Sequence, residues 1–189
     1  MRKIISKKAE NKKRKRNQFI VGGILVFIML FSVVGYGFSP KEESNKEIKY
    51  NGIKFIQQND FWFTQIENLN FGFKYSPEET ESILLETNLK SIENYNLKPL
   101  YFSSDNLEST QEIYRNLNQI VQRMLEACLN EEECDGDFPI KTCEDNFIII
   151  RENNNSKITQ DNNCVFIQGP KEELVKITDE FLFKIMNIK

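Results

Sequence analysis

The side chains able to do chemistry in this chain are carboxylates, hydroxyls and thiols, because its 189 residues include no histidine. That removes the commonest general base, the Ser–His and Cys–His nucleophile pairs and the most frequent zinc ligand. Paired carboxylates remain, and Glu78 with Glu81, or Glu172 with Asp179, can be posed as an acid and a base. In so acidic a segment such pairs arise by chance, and no catalytic residue is assigned from them. The densest acidic run, Glu131-Glu132-Glu133-Cys134-Asp135-Gly136-Asp137, holds five carboxylates in seven residues. Oxygen ligands suit calcium, which makes Glu133, Asp135 and Asp137 its candidate ligands. Their spacing departs from the EF-hand loop, so a solvated loop is expected there, with no metal and no cofactor.

The thiols point to structure rather than catalysis. Cys128, Cys134, Cys143 and Cys164 are an even set confined to the C-terminal part of the chain, the pattern of disulfides in an oxidising compartment. Three connectivities are open. The preferred one joins Cys128 to Cys134 across a short acidic turn and Cys143 to Cys164 at the starts of two strands. Each bridge is worth about 2–3 kcal/mol. A four-thiolate zinc site would need closely spaced cysteine pairs that the sequence lacks. Asn154-Asn155-Ser156 fits the glycosylation pattern, which makes Asn154 a modification candidate.

The elements that must carry these residues begin with a membrane span. Residues 19–38 contain no charge, and thirteen of the twenty are Phe, Ile, Leu or Val. Twenty helical residues cover about 30 Å, the thickness of a bilayer's hydrocarbon core. Nine basic residues precede the span against Glu10 alone, whereas mixed charges follow it. Basic flanks stay in the cytoplasm, so the N-terminus is expected inside and the rest outside a cell membrane. A signal peptide shares this charge order but has a shorter apolar stretch. The expected organisation is a basic cytoplasmic arm (1–18), a transmembrane helix (19–38), a tether (39–46) and an extracytoplasmic domain (47–189).

From residue 39 onward, 16 Lys and Arg face 27 Asp and Glu, a net of −11. That balance argues against nucleic acid as a partner. Trp62, Phe63, Phe71, Phe73 and Tyr75 lie in alternating runs that read as antiparallel strands with an aromatic core. Asn51-Gly52 signals a turn, read here as a bend within the first strand. Ser76-Pro77-Glu78-Glu79 reads as a helix start, with capping Ser and Pro at the first helical position. A strand over 98–103 is followed by a long helix over 107–129, whose apolar face is Ile113, Leu117, Ile120, Val121, Met124 and Cys128. Strands over 147–151, 157–160 and 164–168 precede a final helix carrying Leu174, Ile177, Phe181 and Ile185. The fold class is an N-terminal transmembrane helix plus one α+β domain, a mainly antiparallel sheet with helices packed on one face.

The basic arm and span, with Tyr50-Asn51-Gly52-Ile53-Lys54-Phe55, Phe73-Lys74-Tyr75-Ser76-Pro77-Glu78, Pro139-Ile140-Lys141-Thr142-Cys143 and Asn163-Cys164-Val165-Phe166-Ile167, resemble uncharacterised single-span membrane-anchored proteins of small-genome (DPANN-type) archaea. The resemblance implies an archaeal envelope protein and brings no activity with it. The expected function is a membrane-tethered interaction or scaffold domain. Its partners are the bilayer, through 19–38, and a membrane or envelope protein. The alternatives are an envelope hydrolase or transferase using paired carboxylates and a ligand-binding accessory of a transporter.

Overall fold

The chain divides into two units, Met1–Ser44 and Asn45–Lys189, of which the computed structural model describes residues 7–37, 46–85, 88–129 and 137–189. The first unit is helix α1 (Lys7–Gly37), 31 residues and therefore about 46 Å long. It is apolar and long enough over Lys15–Ser32 to cross a membrane, and none of that stretch is buried. The helix starts well inside the basic arm, so the helical segment is longer than the apolar one. Phe38, the last residue of the expected span, lies outside the described residues.

The second unit opens with a four-stranded antiparallel meander of β1 (Glu47–Tyr50), β2 (Ile53–Gln58), β3 (Phe61–Ile66) and β4 (Leu69–Phe73). Asn51 and Gly52 adopt φ of 47° and 86°, and Asn59 and Asp60 adopt 49° and 64°. These are the left-handed pairs that two-residue hairpin turns require. Asn51-Gly52 is thus a true hairpin turn and not a bend; four residues suffice for β1 because each pairs with β2, Glu47 with Ile56 through Tyr50 with Ile53. Trp62 pairs with Phe73 and Thr64 with Phe71, and these four side chains are buried with Phe55. Phe63 belongs to the opposite face and is exposed, which corrects its placement in the core. Its ring lies over Gly72, where an added Cβ would stand 2.9 Å from Phe63 Cε1. A side chain at position 72 would have to displace the Phe63 ring.

The chain continues through β5 (Leu84–Leu85), β6 (Pro99–Ser104), helix α2 (Leu107–Leu117), β7 (Arg123–Glu126), β8 (Cys128–Leu129) and β9 (Ile140–Lys141), which pair with each other alone, then β10 (Asn146–Glu152), β11 (Lys157–Asp161), β12 (Cys164–Gly169) and helix α3 (Leu174–Ile185), and the six strands other than β8 and β9 form the second sheet. Its strand order is β5-β11-β12-β10-β6-β7. The antiparallel pairing expected from the sequence holds throughout the first sheet and between β11 and β12. The other neighbours in the second sheet are parallel, so that sheet is mixed. The cause is the crossover β6–α2–β7: a helix between two neighbouring strands brings the second back parallel to the first.

Two helix expectations are corrected by this sheet. The helix expected over 107–129 ends at Leu117, because Arg123–Glu126 pair with Pro99–Phe102. Ile120 and Val121 remain buried, so the apolar periodicity was sound while the backbone type was not. Ser76 does form its cap: its N–H donates to Glu79 Oε2 (2.7 Å) and its Oγ accepts from Glu79 N–H (3.4 Å). The chain nevertheless makes only turns up to residue 82, since β5 is drawn into pairing with β11.

Alternation along the second sheet sorts its side chains into two layers. Leu100, Ile148, Ile150, Val165 and Ile167 join the main core, where α2 and α3 pack on one another and α3 on β11 and β12. Tyr101, Phe147, Ile149 and Cys164 form a smaller cluster on the other face with Ala127, closed by the Cys143–Cys164 disulfide. The helices cover one face of this sheet, and their far side meets the meander. Phe183 of α3 packs on Phe55 and Phe73, with ring centroids 6.1 and 4.4 Å away. The domain is thus layered as sheet, helices, sheet, a loose α+β arrangement with two main sheets where one was expected.

Asn116 of α2 fastens these layers. Its side-chain amide mimics a strand, accepting from Gly72 N–H (2.9 Å) and donating to Gly72 O (2.9 Å) at the free edge of β4. Asn116→Ala leaves both backbone groups without a partner in a buried site. The unfolding free energy from urea melts is expected to fall by about 2–4 kcal/mol; a fall under about 0.5 kcal/mol would show that the clamp adds nothing.

Candidate functional site

Helix α2 presents a polar stripe, Ser109, Glu112 and Asn116, beside its apolar one, and all three are buried. The i, i+3, i+7 spacing places them on one face. Asp179 of α3 meets that face at Glu112, and the two carboxyls act on each other electrostatically. Glu112 Oε1 accepts from Arg115 Nη1 at 2.6 Å, and Arg115 in turn lies 4.5 Å from the centre of the Phe61 ring. Asp179 Oδ2 accepts from Tyr75 N–H at 2.8 Å. The remaining oxygens, Glu112 Oε2 and Asp179 Oδ1, are buried and have no other partner, as is Ser109 Oγ.

Burial pushes the Asp179 carboxyl well above the usual carboxylate range, and the neighbouring Glu112 charge adds to the effect. Glu112 is also raised by burial, against the pull of Arg115. The Tyr75 phenol is raised by burial and then by Asp179. Two carboxyls with displaced titration are the chemistry of an acid/base pair. Here, however, Asp179 is 0 % and Glu112 3 % exposed, so no substrate atom reaches them.

The next residue of α3 builds a second polar centre. Glu180 is buried, and its Oε2 accepts from Thr80 Oγ1 at 2.6 Å and from Lys189 Nζ at 2.7 Å. Lys189 also donates to Thr80 Oγ1 at 3.0 Å, and Lys184 Nζ stands 3.7 Å from Glu180 Oε1. Both partners of the Glu180–Lys189 pair are almost wholly withdrawn from water, at 3 % and 4 % side-chain exposure. This pair fastens the last residue of the chain and the turn after Ser76 to α3.

Two surface features accompany these sealed centres. A half-open cleft of about 410 Å³ has an apolar floor of Phe71, Ile92, Ile120 and Met186 and carries Glu67 and Glu93 among its walls. On the far face of the second sheet, the Tyr101 hydroxyl accepts from Arg123 Nη2 at 3.4 Å, and Lys141 Nζ lies 4.4 Å from the centre of its ring. These two cations hold its phenol below the ordinary value, and Lys141 is also 3.5 Å from Asp145.

The residues singled out from the sequence are distributed differently. Glu78 and Glu81 are exposed in the turn after Ser76, and Glu172 is exposed while Asp179 is buried; the partner of Asp179 is Glu112. Of the calcium candidates, Glu133 and Asp135 lie outside the described residues, and Asp137 is exposed. Among the described residues no three His, Cys, Asp or Glu side chains group as a metal site. Cys143 pairs with Cys164, whereas the expected Cys128–Cys134 bridge involves Cys134, outside the described residues. Asn154 is exposed between β10 and β11, and Ser156 of its motif donates to Glu173. Ser109, Glu112 and Asn116 were not singled out from the sequence, although their helical spacing could have marked them, and nothing local marked Thr80 or Lys189. Set against known protein families, characterised proteins and solved structures, the chain matches none of them.

Removing Lys189 leaves Glu180 as a buried charge without its closest cation. Lys189→Met is expected to destabilise the domain by about 3–5 kcal/mol in denaturant unfolding. Combining it with Glu180→Leu should restore most of the loss, because the double change removes both charges. If the double variant is as unstable as the single one, packing and not charge is what Lys189 supplies.

Proposed function

We propose that this chain is a single-span membrane protein that holds a non-enzymatic interaction domain at the outer face of the cell membrane. The observation that carries this reading is the exposure of α1. Phe19 is 82 % exposed and Phe31 61 %, and none of Lys15–Ser32 is buried. An apolar surface that surrounds a helix on all sides and is this long finds its favourable solvent in lipid. The basic residues before the span orient it with the N-terminus in the cytoplasm. The Cys143–Cys164 disulfide is in keeping with an oxidising exterior for the domain.

For the domain itself, the paired carboxyls that a hydrolase or transferase would use are sealed between α2 and α3. The aromatic strands, which a transporter accessory would open as a groove, bury Trp62, Phe71 and Phe73 in the core. The acid-walled cleft and the exposed Phe63 face leave binding to a membrane or envelope protein as the favoured role, in line with the archaeal single-span proteins that the sequence resembles. Protease treatment of intact cells is expected to remove an epitope after Lys189 and spare one before Met1. Retention of the C-terminal epitope under conditions that cut a known surface protein would overturn the orientation. Crosslinking in native membranes is expected to trap a defined protein partner, and recovery of the monomer alone would count against the interaction reading.

A further inference from the structure

We propose that Glu112 and Asp179 share a single proton, and that this proton is a latch joining α2, the exit of β4 and α3 which opens as the medium turns alkaline. The geometry assigns the proton by elimination. An ionised carboxylate only accepts hydrogen bonds. Each of these carboxyls has one oxygen filled, Glu112 Oε1 by Arg115 and Asp179 Oδ2 by Tyr75 N–H. Each has its other oxygen buried with no donor aimed at it. Two ionised groups would leave both bare oxygens facing like charge in a site closed to solvent, with Asp179 0 % and Glu112 3 % exposed. One proton on Asp179 Oδ1, donated to Glu112 Oε2, satisfies both at once.

The surroundings decide which group holds it. From α2, Arg115 lies 2.6 Å from Glu112 and keeps that carboxyl charged. From the exit of β4, Lys74 adds attraction to Glu112, while the Tyr75 backbone N–H donates to Asp179. The neighbouring Tyr75 phenol also feels Glu79 and Glu108, both of which add negative charge. On α3 the adjacent Glu180 is engaged by Lys189 and Lys184. No cation is paired with Asp179 itself among the described residues. It is therefore the acid of the pair, and Glu112 the carboxylate.

The sign of the pH effect follows. A carboxyl raised by folding holds its proton more tightly in the folded chain than in the unfolded one, so stability falls as pH rises between the two values. The contribution is complete below the ordinary carboxylate range and is lost as pH climbs from that range through the raised value. This is opposite to the usual acid denaturation. Loss of the proton sets two like charges against each other across the α2–α3 seam, which also carries the Asn116 clamp on β4. The latch does not depend on the membrane reading. Its exposure to external pH does, since only a domain outside the cell experiences the medium directly.

The test is denaturant unfolding of the full chain in detergent at a series of pH values, for the wild type, Asp179→Asn and Glu112→Gln. For the wild type, the unfolding constant is expected to rise by up to about tenfold per pH unit for the one proton. The amide introduced by Asp179→Asn donates a permanent N–H toward Glu112, so D179N should flatten this rise and be the more stable protein at alkaline pH. E112Q should flatten it too, through an amide that donates to an ionised Asp179. Infrared spectra of the wild type at neutral pH should show the carbonyl stretch of a protonated carboxylic acid, and those of folded D179N should lack it. Parallel pH slopes in all three proteins would overturn the proposal. If the variants fail to fold, absence of the protonated-acid band from the wild type alone would also overturn it.

Discussion

Helix α3 is covered on every side, and the structure depends on how it carries two adjacent carboxylates into that position. Ten of its twelve residues are buried, Asp179 and Glu180 among them. Withdrawing a carboxylate from water costs several kcal/mol even after the protein relaxes around it. A helix lying between two sheets therefore cannot bring in such groups unless partners converge from other elements. Those partners define the packing: α2 and the β4 exit converge on Asp179, and the Ser76 turn and the chain end converge on Glu180.

The two carboxylates are satisfied by different chemistry, and the difference follows from what lies next to each. Glu180 points toward Lys189 and Lys184, with Thr80 completing its hydrogen bonds. An ion pair resolves that site and pins the last residue of the chain. Asp179 points toward another acid whose cation, Arg115, is already bound on the other side. There a proton resolves the conflict. The stripe that supplies Glu112 also supplies Asn116, which closes the edge of β4. One polar face of α2 thus joins the first sheet and the helix behind it. A free strand edge, which invites pairing with other chains, is converted into a contact inside the domain.

Much of this fold was legible where the physical cause is local. The turn at Asn59-Asp60, alternation in β3 and β4, and the apolar stripe of α3 are written in neighbouring residues, and so is the turn signal at Asn51-Gly52, although it was read as a bend and is a hairpin. The Cys143–Cys164 pair was legible too, because Cys164 begins β12 and Cys143 lies in the turn that leads into the neighbouring β10, Phe147 opposite Cys164. What was not legible depends on distant partners. The stretch 118–129 keeps a helical period yet turns at 118–122 and becomes strand from Arg123, since the backbone groups of β6 are met by β7 and tertiary pairing outweighs propensity. The Ser76 cap is formed but not propagated, for β5 is claimed by β11. The candidate site was missed for the same reason: Glu112 and Asp179 are 67 positions apart, and nothing near either one announces the other.

The chain contains two strongly apolar helices with opposite fates, and the contrast bears on what the molecule is. Helix α3 interrupts its apolar surface with charged residues, and each buried one is answered by a named partner. Helix α1 has no such interruption from Phe19 to Phe31, yet its side chains there are exposed. The core of the second unit closes without it, the earliest of its side chains being Ile48. Such a helix is long and apolar enough to cross a membrane. Charge therefore separates the two cases. In α3 it is brought inside and neutralised group by group, because the helix is part of a core; in α1 it is kept to the segment before the apolar run.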